Sequence, residues 1–146
     1  MLRRMSFVFE VRAYGPDSTP AEVQAIRDCI FMYEPGILYW RELPVQSDFH
    51  LQIFRERLTE LAAGTRPHLL IDLLVATPPG AEARAALRKM FTSQPLIDRI
   101  AVFTGRNFML NVAAKFVMST AGLKNFAVHR TLDEALEDLR NATARR

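Results

Sequence analysis

The sequence predicts a single α/β domain, with a mostly parallel sheet of about five to six strands and helices packed on it. Three observations carry that expectation. From Leu38 onward a short apolar run followed by a helical pattern recurs four times. The connections are short, so successive strands must run parallel and be joined by helical crossovers, right-handed by the general rule. Two of the runs, HLLIDLLVA at 68–76 and IAVFT at 100–104, are apolar on both faces, as strands covered from both sides are.

Composition limits the alternatives. At 146 residues the chain is long enough to bury a core within one domain. No stretch approaches the roughly 18 consecutive apolar residues of a membrane span. The N-terminus MLRRMSFVFEVRAY starts basic, but Glu10 and Arg12 interrupt what would be the apolar region of a secretory signal. Cys29 is the sole cysteine, so no intrachain disulfide and no cysteine-based metal site is expected. A cytoplasmic setting follows. The net charge of +3 is spread by interleaving Lys and Arg with Asp and Glu, unlike the concentrated charge of a nucleic-acid binder.

Residues 1–28 read as an N-terminal strand and short helix belonging to the same domain as 29–146. Met5, Phe7, Phe9, Val11 and Ala13 alternate with polar neighbours, the period of a half-buried strand over 5–14. Thr19-Pro20-Ala21-Glu22 combines a threonine cap, proline at the first helical position and a glutamate three residues after the cap, which starts a helix to about Asp28. Glu34-Pro35-Gly36 turns a hairpin between strands at 29–33 and 37–43. Ser47 caps a helix over 48–63 whose Leu51, Phe54, Leu58 and Leu61 share one face, and Gly64 ends it. A strand over 68–76 and a helix over 80–91, burying Ala83, Leu87 and Met90, come next. Pro95 marks a loop before the strand at 100–104.

Gly105-Arg106-Asn107 then turns into a helix over 108–121, with Met109, Val112, Ala113, Phe116 and Val117 as its apolar stripe and Gly122 as its stop. A short strand at 125–129 leads to Thr131-Leu132-Asp133-Glu134, a second capping box. The closing helix buries Leu132, Ala135, Leu136 and Leu139, and the tail from Asn141 is expected to fray.

Candidate sites cluster at the strand-to-helix turns. Thr77 reads first as the cap of the following helix, with Pro78 at its first position. Its functional reading is a phosphoacceptor or anion contact, with Gly80 in the turn and Arg84 as counter-charge. Thr104, Gly105, Arg106 and Asn107 are the better anion site. They follow the carboxyl end of a strand, open a helix, allow close backbone approach and carry a cation, and ligands of open parallel sheets settle there. The stretch nevertheless reads first as a tight turn with Asn107 as cap and Arg106 in solvent, ahead of the anion reading. Asp72 interrupts an apolar strand and reads as a structural carboxylate satisfied by backbone N–H groups or an arginine, ahead of an acid–base role.

His50, His68 and His129 lack metal-ligand spacing, and no hydrolase, phosphate-loop or dinucleotide motif occurs. Metal, cofactor and catalytic residues are all expected to be absent. Arg84, Arg88 and Lys89 read as a solvated face first and a docking surface second. Tyr39, Trp40 and Phe49 read as core.

The series GILYWRELP, SDFHLQIFRERLTEL, HLLIDLLVA, IAVFTGRN, AAKFVMSTAG and FAVHRTLDEALEDL resembles the STAS-like group related to bacterial anti-sigma-factor antagonists, over roughly residues 29–140. The resemblance implies a regulatory module working by protein–protein contact. Phosphorylatable members carry Asp-Ser-Ser/Thr-Gly at the turn where this chain has Ala76-Thr77-Pro78-Pro79-Gly80, so the serine is missing and their phospho-switch does not carry over. The expected function is therefore a non-catalytic interaction module, with a small anion at the strand ends as an added ligand. The same order of elements also resembles a lipid-transfer carrier fold, the leading alternative. Because the strand at 5–14 has no crossover into the sheet, edge pairing or exchange between subunits is open to it, and a homodimer is the expectation.

Overall fold

The computed structural model describes residues 7–92 and 97–145. Five helices and five strands follow one another as α1 (Pro20–Arg27), β1 (Ile30–Glu34), β2 (Ile37–Arg41), α2 (Asp48–Ala62), β3 (His68–Asp72), α3 (Ala81–Thr92), β4 (Ile100–Phe103), α4 (Phe108–Thr120), β5 (Phe126–His129) and α5 (Leu132–Ala144). The expected α/β class, with one mostly parallel sheet and helices packed on it, is what is found.

Spatial strand order equals chain order, β1-β2-β3-β4-β5. The β1–β2 hairpin is antiparallel and the other three pairings are parallel. The period-two alternation of each strand divides its residues between two cores. Leu38, Trp40, Leu69, Ile71, Ile100 and Val102 face α2, α3 and α4, and α1 packs on α2 at the margin. Tyr39, Leu70, Ala101 and Phe103 face the other way, where, among the described residues, α5 is the helix that covers them, with Ala135, Leu136 and Leu139. Double coverage of β3 and β4 explains why their sequence is apolar without alternation.

Caps set the helix starts. Thr19 with Glu22, and Thr131 with Glu134, form reciprocal capping boxes, and Asn107 accepts from the Leu110 N–H at 3.0 Å. Ser47 does the same for α2, but the third helical residue is His50, whose Nδ1 accepts the Ser47 N–H at 3.1 Å. Gly36 turns the hairpin at φ 85°, a left-handed conformation that favours glycine.

Four expectations need correction. Residues 7–14 form no strand, and Met5 and Ser6 lie outside the described residues. Side chains take over the backbone groups a ladder would use. The Glu10 N–H donates to the Tyr14 hydroxyl at 2.9 Å, Arg12 N–H turns back to the Glu10 carbonyl, and the Arg12 guanidinium lies over the Tyr14 ring. The strand expected over 68–76 stops at Asp72, because the Asp72 carboxylate captures the Leu74 N–H at 2.9 Å and folds the chain into a turn.

The stripe expected to bury α4 is also displaced. Leu110, Ala114, Val117 and Met118 face the core, with Ala113 half-buried, while Met109, Val112 and Phe116 are exposed. Finally, the tail is helical from Asn141 to Ala144, continuing α5, with Arg146 outside the described residues. The loop expected at Pro95 also lies outside them.

Candidate functional site

Parallel strands in chain order bring the turns after β2, β3, β4 and β5 to one edge of the sheet, the carboxyl edge where open α/β sheets hold ligands. Thr104, Gly105, Arg106 and Asn107 come together there. The Thr104 N–H donates to the His129 carbonyl and the Gly105 N–H to the Arg130 carbonyl, so the turn is stitched to the residues leaving β5. Gly105 takes φ 67°, and a Cβ there would stand 3.1 Å from Leu74 Cδ2, so the turns after β3 and β4 touch.

The result is a shallow depression of about 340 Å³, lined by Thr104, Gly105, Arg106, Asn107, Phe108, Asn111 and Arg130. Arg106 and Arg130 are its charged members. Asn107 and Phe108, at the start of α4, are among its lining residues, and the positive end of a helix favours an anion. Sequence reasoning missed Arg130 and Asn111. Arg130 enters only through the β4–β5 pairing, which no local pattern reveals.

Thr77, Gly80 and Arg84 are placed elsewhere on that edge and do not line the depression. Thr77 does not cap α3, which begins at Ala81; the Gly80 carbonyl accepts the Arg84 N–H instead. The Thr77 hydroxyl and N–H both donate to the Pro44 carbonyl, at 2.7 and 2.9 Å, tying the β3–α3 turn to the β2–α2 connection. The Arg84 guanidinium donates to the Pro79 carbonyl at 3.0 Å.

Asp72 is buried and engaged on both oxygens. Oδ2 accepts the Tyr39 hydroxyl at 2.5 Å and lies 3.8 Å from Arg41 Nε, while Oδ1 accepts the Leu74 N–H. Burial, and then the bond to Asp72, push the Tyr39 phenol above its ordinary range, so its proton stays on the oxygen that donates it.

A second buried network was not foreseen. Glu42 accepts from the Leu43 N–H at 2.8 Å, the Trp40 indole at 3.3 Å and the His50 imidazole at 2.9 Å. His50 Nδ1 stands 3.2 Å from Ser47 Oγ, and that hydroxyl donates to the Tyr14 carbonyl at 2.7 Å. The order Ser–His–Glu resembles a nucleophile, base and orienting acid. The hydrogen bonds describe something else: Nδ1 already accepts a backbone N–H, which puts the ring proton on Nε2 toward Glu42, and the serine proton points to Tyr14. No side of the fully buried His50 ring meets solvent. The network clamps the N-terminal segment to α2.

On α5, Asp138 is held by Arg99 at 2.5 Å and His129 at 2.7 Å. Burial would raise its carboxyl, but those two partners hold it below the ordinary range. His68 Nδ1 lies 3.8 Å from Asp98. Among the described residues no three His, Cys, Asp or Glu side chains group to hold a metal.

The strongest feature of this edge is apolar. Phe108, Met109, Val112 and Phe116 are 74%, 63%, 46% and 49% exposed, and Leu74 and Val75 are exposed in the adjoining turn. α4 is thus apolar on two sides, only one of which the domain covers. No helix in the described structure is long and apolar enough to cross a membrane. No protein-family model matches the chain, and no curated protein matches its sequence.

Proposed function

We propose that this chain is a non-catalytic interaction module of the STAS-like regulatory kind, working by protein–protein contact through the uncovered side of α4 and the turn bearing Leu74. The exposed row Phe108, Met109, Val112 and Phe116 is the observation that carries the reading. A helix apolar all round is normally covered, and large exposed apolar patches mark interaction sites. Thr77 is engaged with Pro44 beside two prolines, so contact is constitutive in this reading rather than switched by phosphorylation at that turn.

The test is a photo-crosslinking residue placed at Val112, with Thr59 on the exposed side of α2 as control, in the protein's own cells. Protein adducts at Val112 and not at Thr59 are expected. Absence of protein adducts at Val112, or equal adducts at both positions, removes the reading.

The depression between Arg106 and Arg130 supports a small anionic ligand as an accessory of the same edge. Inorganic phosphate should shift the amide resonances of Gly105 to Phe108, and Arg106→Gln should abolish the shift; an unresponsive spectrum at millimolar phosphate rejects it. The carrier alternative is not carried forward. The apolar crevice between α3 and α4, bordered by Trp40, Phe91 and Val117, encloses about 50 Å³, against roughly 300–1,000 Å³ for small-molecule sites. The roomier cleft of about 410 Å³ beside Phe91 has Arg66, Asp98, Lys124 and Asn125 in its walls, where a lipid needs apolar ones. The homodimer loses its ground with the strand at 5–14.

A further inference from the structure

We infer that the occupant of the α4 face is an amphipathic helix of another protein, apolar along one side and bordered by carboxylates. The inference rests on the interaction-module reading above and names the chemistry of its partner. Its first basis is shape. Phe108, Val112 and Phe116 recur every four residues and form one continuous ridge, the feature that seats in the groove of a second helix. Met109 widens the ridge, and Leu74, leaning on Gly105, prolongs it beyond the helix start.

The second basis is charge. Between Phe103 and Thr131 the chain has no Asp or Glu, and between Asp72 and Glu82 it has none either. The cations are placed at the margin of the ridge. Arg106 precedes Phe108 by two residues, and the exposed Lys115 follows it by seven, two helical turns along the same side. Arg130 shares the depression at the helix start. An apolar strip whose own helix and adjoining turns carry cations and no carboxylate favours a partner with negative borders over one with positive borders.

The same facts weigh against two other occupants. A second copy docked by two-fold symmetry would set Arg106 and Lys115 of both chains along one seam, with no carboxylate from either ridge to meet them. A lipid surface is usually met by four to eight clustered cations and by Trp or Tyr at the interface. This margin has three cations; Trp40, Tyr14 and Tyr39 are buried, and the half-buried Tyr33 sits on β1, packed against the α5 side of the sheet. Phe and Met, which dominate the ridge, suit an adaptable protein contact.

The experiment sequences the segment crosslinked at Val112 and measures adduct yield in three backgrounds: wild type, Arg106→Glu with Lys115→Glu, and Arg106→Lys with Lys115→Arg. The expected segment has apolar residues three and four apart and more carboxylates than cations. Charge reversal should lower the yield about five- to tenfold, from two rim pairs of ordinary strength, and the conservative pair should retain it. In a lysate of those cells, raising salt from low to molar concentration before irradiation should lower the wild-type yield as well, a readout independent of how the variants fold. A segment without a carboxylate excess, or a yield indifferent to charge reversal and salt, overturns this inference and leaves protein contact standing. Crosslinks to a second copy overturn it in favour of self-association. Crosslinks to lipid alone, or no adduct at all, remove both this inference and the reading beneath it.

Discussion

Removing the His50 ring tests whether the Glu42–His50 pair clamps the fold. His50→Leu keeps a large apolar side chain at a fully buried position but takes the Nε2–H donor from the Glu42 carboxylate, which retains Leu43 N–H at 2.8 Å and the longer Trp40 contact at 3.3 Å. It also takes the Nδ1 acceptor from the Ser47 N–H, a loss that the double-variant comparison cancels. One hydrogen bond to a buried charged group contributes about 1.5–3 kcal/mol, and the remaining partners prevent the full cost of an isolated buried charge. The expected loss is about 2–3 kcal/mol. Glu42→Leu should cost about 1–3 kcal/mol, because it orphans the His50 donor. The double variant should cost less than the sum by about 2 kcal/mol, since each change removes the other's reason to be harmful. Denaturant unfolding read by fluorescence suits the assay, because Trp40 is the sole tryptophan, is buried, and stacks on Phe91 with ring centroids 5.7 Å apart. Additivity within about 0.5 kcal/mol, or a single-variant loss below about 1 kcal/mol, would refute the clamp.

Asp138→Asn weakens the links to Arg99 and His129, and about 2 kcal/mol of stability should go at neutral pH. Because the folded-state carboxyl titrates low, this stabilisation is complete above the ordinary aspartate range near 4 and fades as pH falls through the lower folded value; acid unfolding curves of the variant should therefore be shallower in that window, and identical slopes would contradict it. Cys29, its thiol pushed up to about 12 chiefly by burial, should resist a disulfide exchange reagent at pH 8 until the chain unfolds. Rapid native-state labelling would contradict the packing. Gly105→Ala forces a side chain into a left-handed turn against Leu74 and should cost about 1–2 kcal/mol in the same unfolding assay. Thr77→Ala should cost about 1 kcal/mol by losing the Pro44 bond, yet leave crosslinking at Val112 unchanged; loss of crosslinking would make that turn part of the contact.

The layers of this fold were legible because they rest on signals repeated along the chain. Three capped helix starts, the Glu34-Pro35-Gly36 turn and the starts of the doubly apolar strands are all local patterns, and they fell where expected, although β3 ends four residues early. The N-terminal alternation failed because the Tyr14 hydroxyl and a local turn from Arg12 N–H to the Glu10 carbonyl satisfy backbone groups that periodicity alone assigns to a neighbouring strand. α4 failed for a different reason. With apolar residues on both sides, its pattern contains two candidate core faces, and only the position of the sheet decides between Leu110–Val117 and Phe108–Phe116. At the site, Thr104 to Asn107 could be read locally, whereas Arg130, Glu42 and His50 owe their places to partners 8 to 25 residues away in sequence.

Two cores on opposite sides of one sheet are completed on different schedules. Each of β2 to β5 joins the edge left by its immediate predecessor, and the helix between them closes the first side as the chain advances. The other side has one helix, and it follows every strand it shelters. Phe31, Tyr39 and Leu70 are thus laid down early and wait for Leu136 and Leu139, about a hundred residues later for the first of them. Until α5 arrives, that side of the sheet is an open apolar wall, and its cover depends on this one helix.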